Sequence, residues 1–314
     1  MSRLPFWSVL ALVSLLGCAE GRMTCRVGAD CPSGVCMSDG TCARPRDAGP
    51  IDAPITPADG NAEDTGTTPE DGGGNADGGE RLCAPDHDGV VRRAEVPLRA
   101  GLRANFRIAE DATVSTAGTT VAGERTWDYS VAYTGDHDEL VELLEPAGNW
   151  WAAEFPTATH AARVSASSDN LGVFRIDDDA LLLLGVVSPE AGVAQTLLTY
   201  DPPVTVIAYP LAEGNTFTTT STVSGQAVGV FSTYTEEYSS VVDAAGTLVT
   251  PFGETDALRV RTEMERRSGF AVLTSQRQFT FVAECFGIAA IVVSNAVEAE
   301  VEFTDAAEIR RLSP

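Results

Sequence analysis

The sequence predicts a mainly β protein. Its large C-terminal domain, residues 81–314, is expected to be antiparallel sheet, half-barrel or sandwich-like. A small disulfide module and a disordered linker are expected before it. Three observations predict this. Apolar residues alternate with polar ones at period two through the C-terminal three quarters of the chain. Turn residues recur there at short spacing. No long segment carries the 3.6-residue periodicity of an amphipathic helix.

The alternation is clearest in two runs. Trp127, Tyr129, Val131 and Tyr133 share one face, against Thr126, Asp128, Ser130 and Ala132 on the other. Leu258, Val260, Thr262 and Met264 oppose Arg259, Arg261, Glu263 and Glu265. The stretch 228–242 is rich in Val, Phe, Tyr, Thr and Ser, which suit a strand or hairpin. Ala180 to Leu184 and Phe286 to Val293 are too short to cross a bilayer as helices and read as buried strands. Gly135, Pro146–Gly148, Asp177–Asp179, Pro202–Pro203, Glu213–Asn215, Gly246 and Gly253 mark turns. The triple aspartate reads as a hairpin turn between Phe174–Ile176 and Leu181–Leu184.

The amino terminus reads differently. Arg3 is followed by an uncharged, mostly apolar run from Leu4 to Leu16, the length of a signal-peptide core and too short for a membrane span. The run ends in Leu15-Leu16-Gly17-Cys18, which resembles the lipobox of bacterial lipoproteins. The resemblance implies cleavage after residue 17 and lipidation of Cys18, with palmitate among the acyl chains. Two or three chains anchor a protein durably, at about 0.8 kcal/mol per buried methylene. An ordinary signal peptide beside a chance cysteine is the alternative. Ala19, rather than the aspartate that retains lipoproteins in the inner membrane, points to the outer membrane of a cell envelope.

Six cysteines remain, an even number that suits an oxidising compartment. Cys25, Cys31, Cys36 and Cys42 fall within residues 18–43, a segment too short for a hydrophobic core, so covalent staples are expected in its place. Four cysteines allow three pairings. Resemblance to other tiny cysteine-rich modules favours Cys25 with Cys36 and Cys31 with Cys42. A four-thiolate zinc site is the competing reading, without the close C-x2-C pairs such sites use. Cys83 and Cys285 flank the large domain and read as one long-range disulfide, with two free thiols as the alternative. The segment 44–80 holds nine acidic residues against Arg44 and Arg46, with Ile51 and Ile55 its only large aliphatics. It cannot bury enough apolar surface to order itself. A flexible chain of that length spans roughly 35 Å.

The whole sequence carries 45 acidic and 21 basic residues, a formal charge of −24. Such a polyanion repels phosphate backbones, so nucleic acid is excluded as a partner. No H-x-x-x-H pair and no G-x-S-x-G elbow occurs. His87 and His137 each sit between carboxylates in glycine-containing stretches and read as surface turns rather than metal ligands. No catalytic residue, cofactor or metal is assigned. Trp127, Trp150 and Trp151 are candidate ligand contacts. On a strand, adjacent Trp150 and Trp151 would send one ring inward and one outward, where it could grip a carbohydrate or an apolar ligand.

One stretch carries a further resemblance. Tyr209-Pro210-Leu211 with Gly214 and Phe217, then Thr235 to Tyr238, then Gly246 to Thr250, Pro251, Gly253 and Leu258-Arg259-Val260, is similar to a signature of uncharacterised bacterial lipoproteins. Those resemble the lipoprotein-carrier group. The resemblance implies a curved antiparallel half-barrel, and its motifs are structural. Phe217 and Thr255 depart from it where aromatic residues are usual. The expected role is therefore a non-enzymatic envelope lipoprotein that binds an apolar ligand or an envelope protein, or serves structure. A carrier with a ligand in the concavity and a hydrolase without a recognisable motif are the alternatives.

Overall fold

The computed structural model describes residues 83–314. Cys18, the cysteines Cys25, Cys31, Cys36 and Cys42, and the segment 44–80 lie outside the described residues. Within them the chain is β throughout, apart from two short 3-10 turns. The strands are β1 (Val90–Val91), β2 (Arg103–Thr113), β3 (Thr119–Val121), β4 (Glu124–Asp128), β5 (His137–Glu142), β6 (His160–Ser165), β7 (Ser168–Ile176) and β8 (Ala180–Val187). They continue with β9 (Leu197–Ala208), β10 (Leu211–Ala212), β11 (Thr216–Ala227), β12 (Val230–Val249), β13 (Glu254–Ser268), β14 (Ala271–Ala283), β15 (Gly287–Ser294) and β16 (Asp305–Ser313).

Twelve strands form one continuous antiparallel ladder in the order β5-β2-β16-β15-β14-β13-β12-β11-β9-β8-β7-β6. Its two ends meet. Leu144, just past β5, and Ala161 in β6 exchange both backbone hydrogen bonds, at 2.7 and 3.0 Å. The expected curved sheet is thus curled past a half-barrel to a nearly closed barrel, which leaves few free strand edges.

Hairpins supply most connections, as the turn residues predict. Asp177 to Asp179 does turn β7 into β8, with the Asp177 amide bonded to the Ala180 carbonyl at 2.8 Å. The β11–β12 turn places Val228 and Gly229 both at positive φ, 51° and 75°. That is the geometry of a two-residue hairpin turn that follows the strand twist.

The interior is filled from opposite walls. Leu181 and Ile207 of β8 and β9 join Val242, Leu258, Val260 and Val282 of β12 to β14 in one buried cluster, completed by Val91, Val96 and Leu211. The amino-terminal segment, paired through β1 to β10, therefore plugs this end. Cys83 and Cys285 bring their sulfurs to bonding distance there, 2.06 Å, as the long-range pairing expects.

A second core lies on the other face of β13 and β14. Arg259 and Phe281 are register partners, one residue out of phase with the interior pair Leu258 and Val282. The alternation made Arg259 a polar-face residue. Instead it is 2% exposed, because the β3–β4 hairpin and the loop 295–304 cover that face. Its guanidinium bonds Asp243 at 2.8 and 3.0 Å, Glu302 at 2.8 and 3.1 Å and the Thr116 carbonyl at 2.6 Å. It also lies 4.3 Å from the centre of the Phe279 ring. A buried charge is tolerable only with partners of this quality.

Three other expectations are corrected. The run from Trp127 to Tyr133 is strand only as far as Asp128; beyond it the chain leaves the sheet and Tyr133 packs on the outer core. Pro202 and Pro203 lie within β9 rather than at a turn. They are accommodated where the β8–β9 register shifts between Leu183 and Gly185, because proline offers no ladder donor. Gly246 lies within β12, near its carboxyl end, opposite Ala257. Its role is close approach: β11 begins at Thr216, opposite Val241, so the edge of β12 beyond is free, and β4 pairs parallel with it at Thr247–Val249. A Cβ on Gly246 would stand 2.3 Å from the Arg125 carbonyl oxygen.

Gly246→Ala is expected to lower stability by about 1–3 kcal/mol through overpacking. Gly192→Ala, at a site with nothing within 4 Å, is the control and should shift it by less than about 0.5 kcal/mol. Urea unfolding of both variants checks this.

Candidate functional site

The barrel's weakest lateral closure is also where a cavity lies. Beyond Leu144 and Ala161 the edges of β5 and β6 are not paired, and a cleft of about 600 Å3 opens along the seam. Leu140, Val141, Leu144, Leu171 and Pro189 supply its apolar lining. Glu139, Glu142, Asp169 and Glu190 line it with one guanidinium, Arg163, which lies 2.8 Å from Glu139 and 3.4 Å from Asp169.

Side chains do part of what a backbone ladder would do. Arg163 Nη1 bonds Glu139 at 2.8 Å and so links β6 to β5. Glu308, from β16, accepts the Ala166 amide at 2.8 Å and the Ser165 hydroxyl at 3.0 Å. Arg310, ion-paired to Glu308, donates to the Arg163 carbonyl at 3.3 Å. The seam is thus held by charges that can separate without unfolding a strand. Glu142 is paired with Arg103 at 2.8 Å, and among the described residues no ion pair is formed by Glu190.

His160 stands at the base of the seam, beside Ala161. It is 2% exposed and stacks on Phe174, ring centres 5.4 Å apart. Desolvation by burial, with the Arg93 charge second, lowers its pKa to about 4.

A second polar cluster lies inside the barrel, on the same face of β12 as Val242. Glu236 is 1% exposed and accepts from Arg266 at 2.8 Å and from the Tyr238 hydroxyl at 2.5 Å. Arg266 covers the Tyr234 ring at 4.4 Å. Burial pushes the Tyr200 and Tyr238 phenols well above their ordinary range. Both therefore stay protonated: Tyr238 donates to Glu236 and Tyr200 is hydrogen-bonded to Tyr238, a chain that ties β9, β12 and β13 together.

The sequence-derived candidates fall elsewhere. Trp127 and Trp151 are fully buried, so neither offers an exposed ring. Trp127 anchors β4 with its indole N–H on the Thr116 carbonyl at 3.0 Å. Trp150 and Trp151 are not on a strand but in the turn before a 3-10 turn at Ala152–Glu154. Trp150 is half-buried, bonded to the Ser188 carbonyl at 3.1 Å, and Trp151 packs edge-on to Phe155. Both help the 145–158 connection cover β6 to β9. His87 lies in a turn at φ 56° and bonds Asp256 at 2.8 Å, while His137 is not in a turn but opens β5, its ring 3.3 Å from the Gly135 carbonyl.

Asp86, Asp88 and Glu284 are the one carboxylate group among the described residues close enough to share a cation, their oxygens within 4.8 Å of one another. Arg92 already balances them, 2.6 Å from Asp88 and 3.6 Å from Asp86, and Glu284 accepts the Asp86 amide at 2.7 Å.

No family model, curated protein or solved structure matches this chain. The reading of the site therefore rests on its geometry. The seam residues Glu139, Leu144, Arg163 and Glu308 were not singled out in the sequence. Nothing local marks them, since closure pairs residues that only the barrel brings together.

The folded pKa of His160 lies below its unfolded value near 6.5, so the unfolded chain binds the proton more tightly between the two. Its neutral form supports the fold above pH 6.5, and that support is lost as pH falls toward 4. About 2–3 kcal/mol is expected to disappear over this range. His160→Phe should remove that part of the pH dependence, measured as the difference between the two urea-unfolding free energies at pH 7 and pH 4.

Proposed function

We propose that the chain is a lipid-anchored protein of the cell envelope, in the outer rather than the inner membrane, with a non-enzymatic binding role. The bound species is held at the barrel seam. The observation that carries the binding role is the cleft itself. Its volume, about 600 Å3, falls within the range of small-molecule sites. Its lining combines apolar side chains with carboxylates, of which Glu190 forms no ion pair among the described residues. This supports a ligand with an apolar body and a cationic group. The carrier reading moves accordingly: interior side chains meet across the barrel, so the ligand belongs in the seam rather than in an open concavity. Anchoring is supported by the Leu15-to-Cys18 tetrad and by the Cys83–Cys285 pair, which suits an exported chain.

Two experiments test these halves separately. Growth with radiolabelled palmitate is expected to label the protein, and Cys18→Ser to abolish the label. An unlabelled protein that retains Met1 would overturn the anchor. For the cleft, decyltrimethylammonium and its anionic twin decyl sulfate, both below their micelle concentrations, are compared by calorimetry. The cation should bind at least tenfold more tightly, and Glu190→Lys should remove most of that preference. Equal binding of the two, or none, would refute the cleft.

A further inference from the structure

The second feature concerns the end of the barrel away from the amino-terminal plug. Because neighbouring strands are antiparallel, the β8–β9, β11–β12 and β13–β14 connections all emerge at that one end. Two of them touch: the Gly229 amide bonds the Gln195 carbonyl at 2.8 Å. These tips carry large apolar side chains in full contact with solvent. Phe270 and Val193 are completely exposed, Phe231 is 72% exposed, and Val228, Val230 and Leu273 are exposed beside them. Protruding rings of this kind cost solubility and need an apolar partner.

Charge gives an independent second observation. In a chain with 21% charged residues and a formal charge of −24, the stretches 191–200, 215–235 and 268–276 contain no charged residue. They hold the β11–β12 and β13–β14 turns and the part of the β8–β9 connection beyond Glu190. The remainder of the surface is acidic and repels anions, while the tips have been kept free of groups that must be desolvated on entering hydrocarbon.

We infer that this end of the barrel inserts its hairpin tips into a lipid bilayer, the same bilayer that holds the Cys18 anchor. A protein partner would be met by a shaped groove or a flat patch with polar groups at defined places. Separate protrusions at turns suit a fluid apolar layer, which moulds itself to them. The tether permits the contact. Cys18 precedes Cys83 by 65 positions. The segment 44–80, read from its composition as a flexible linker, would span roughly 35 Å on average and about 120 Å when drawn out, beyond the roughly 40 Å of a twelve-residue strand. Tethering then turns insertion into an intramolecular step, so modest tip affinity suffices. The choice of bilayer rests on the anchor proposed above; the insertion itself does not.

The test uses the mature chain from residue 18 with Cys18→Ser, so that no acyl chain contributes. It is mixed with phosphatidylcholine vesicles and separated by flotation. The chain is expected to float with the vesicles, and Phe231→Asp and Phe270→Asp each to weaken binding about tenfold or more. Because both side chains are solvent-exposed, the variants should unfold at the wild-type urea concentration. Phe270→Trp should shift its emission to the blue with vesicles and be quenched by brominated lipid. Absence of flotation at millimolar lipid, or flotation indifferent to both aspartates, overturns insertion. Lipid-independent dimers that the aspartates dissolve would mean that a second copy covers the tips, and would also overturn it. For the source, the acylated chain is reconstituted at about one copy per vesicle. Quenching without vesicle clustering supports the shared bilayer, and clustering overturns it in favour of an opposed one. Failure of palmitate labelling would remove the anchor and leave the flotation result standing.

Discussion

Everything in this fold follows from the need to satisfy two strand edges that meet only after a dozen strands. The ladder from β5 to β6 is joined by a single pair of residues, Leu144 and Ala161. An unpaired edge is a row of orphaned donors and acceptors open to any extended chain. Two backbone hydrogen bonds close the ring at one point; the Arg163–Glu139 pair crosses the seam beyond it, and Glu308 and Arg310 of β16 brace β6 at Ser165, Ala166 and Arg163. Because these partners are side chains, the wall there is thin and leaves room for the cleft.

The second organising element is the covered face of β13 and β14. Arg259 gathers Asp243, Glu302 and the Thr116 carbonyl while it lies against Phe279. Removal of that one guanidinium would leave Asp243 to Arg261 alone and break the links to Glu302 and the Thr116 carbonyl, which typically costs more than an intact pair contributes. The β3–β4 hairpin, the loop 295–304 and the sheet are thereby made one body. It explains why a strand that alternates cleanly in sequence is buried on both sides.

Much of this was legible in the residues and some was not. Period-two alternation located the sheet, and the aspartates at 177–179 located a hairpin, because both are local consequences of backbone geometry. Gly246 misled, since glycine serves turns and close approaches alike, and only the arrival of β4 decides between them. Pro202 and Pro203 misled because a register shift can house a proline inside a strand. Arg259 passed as a surface residue because alternation reports one covered face and says nothing of a second. The seam could not be read at all. Leu144 and Ala161 become neighbours through a ring closure that depends on every strand between them, and Trp150 and Trp151, which drew attention by being aromatic, pack a connection instead. The apolar tips were visible as strand-rich sequence at 228–242, but their exposure is a property of the turn geometry.

The pairing of Cys83 with Cys285 has a mechanical side. A chain held at one end by a membrane transmits any tug to the point where it enters the folded body. Here that point is cross-linked to the turn between β14 and β15, two strands in the middle of the ladder. Load is therefore shared by long central strands flanked on both sides. The short β1, joined to β10 by two residue pairs, would peel away first if it alone bore the strain, and the plug with it. If the chain is anchored as proposed, the cross-link shields the end of the barrel from that leash.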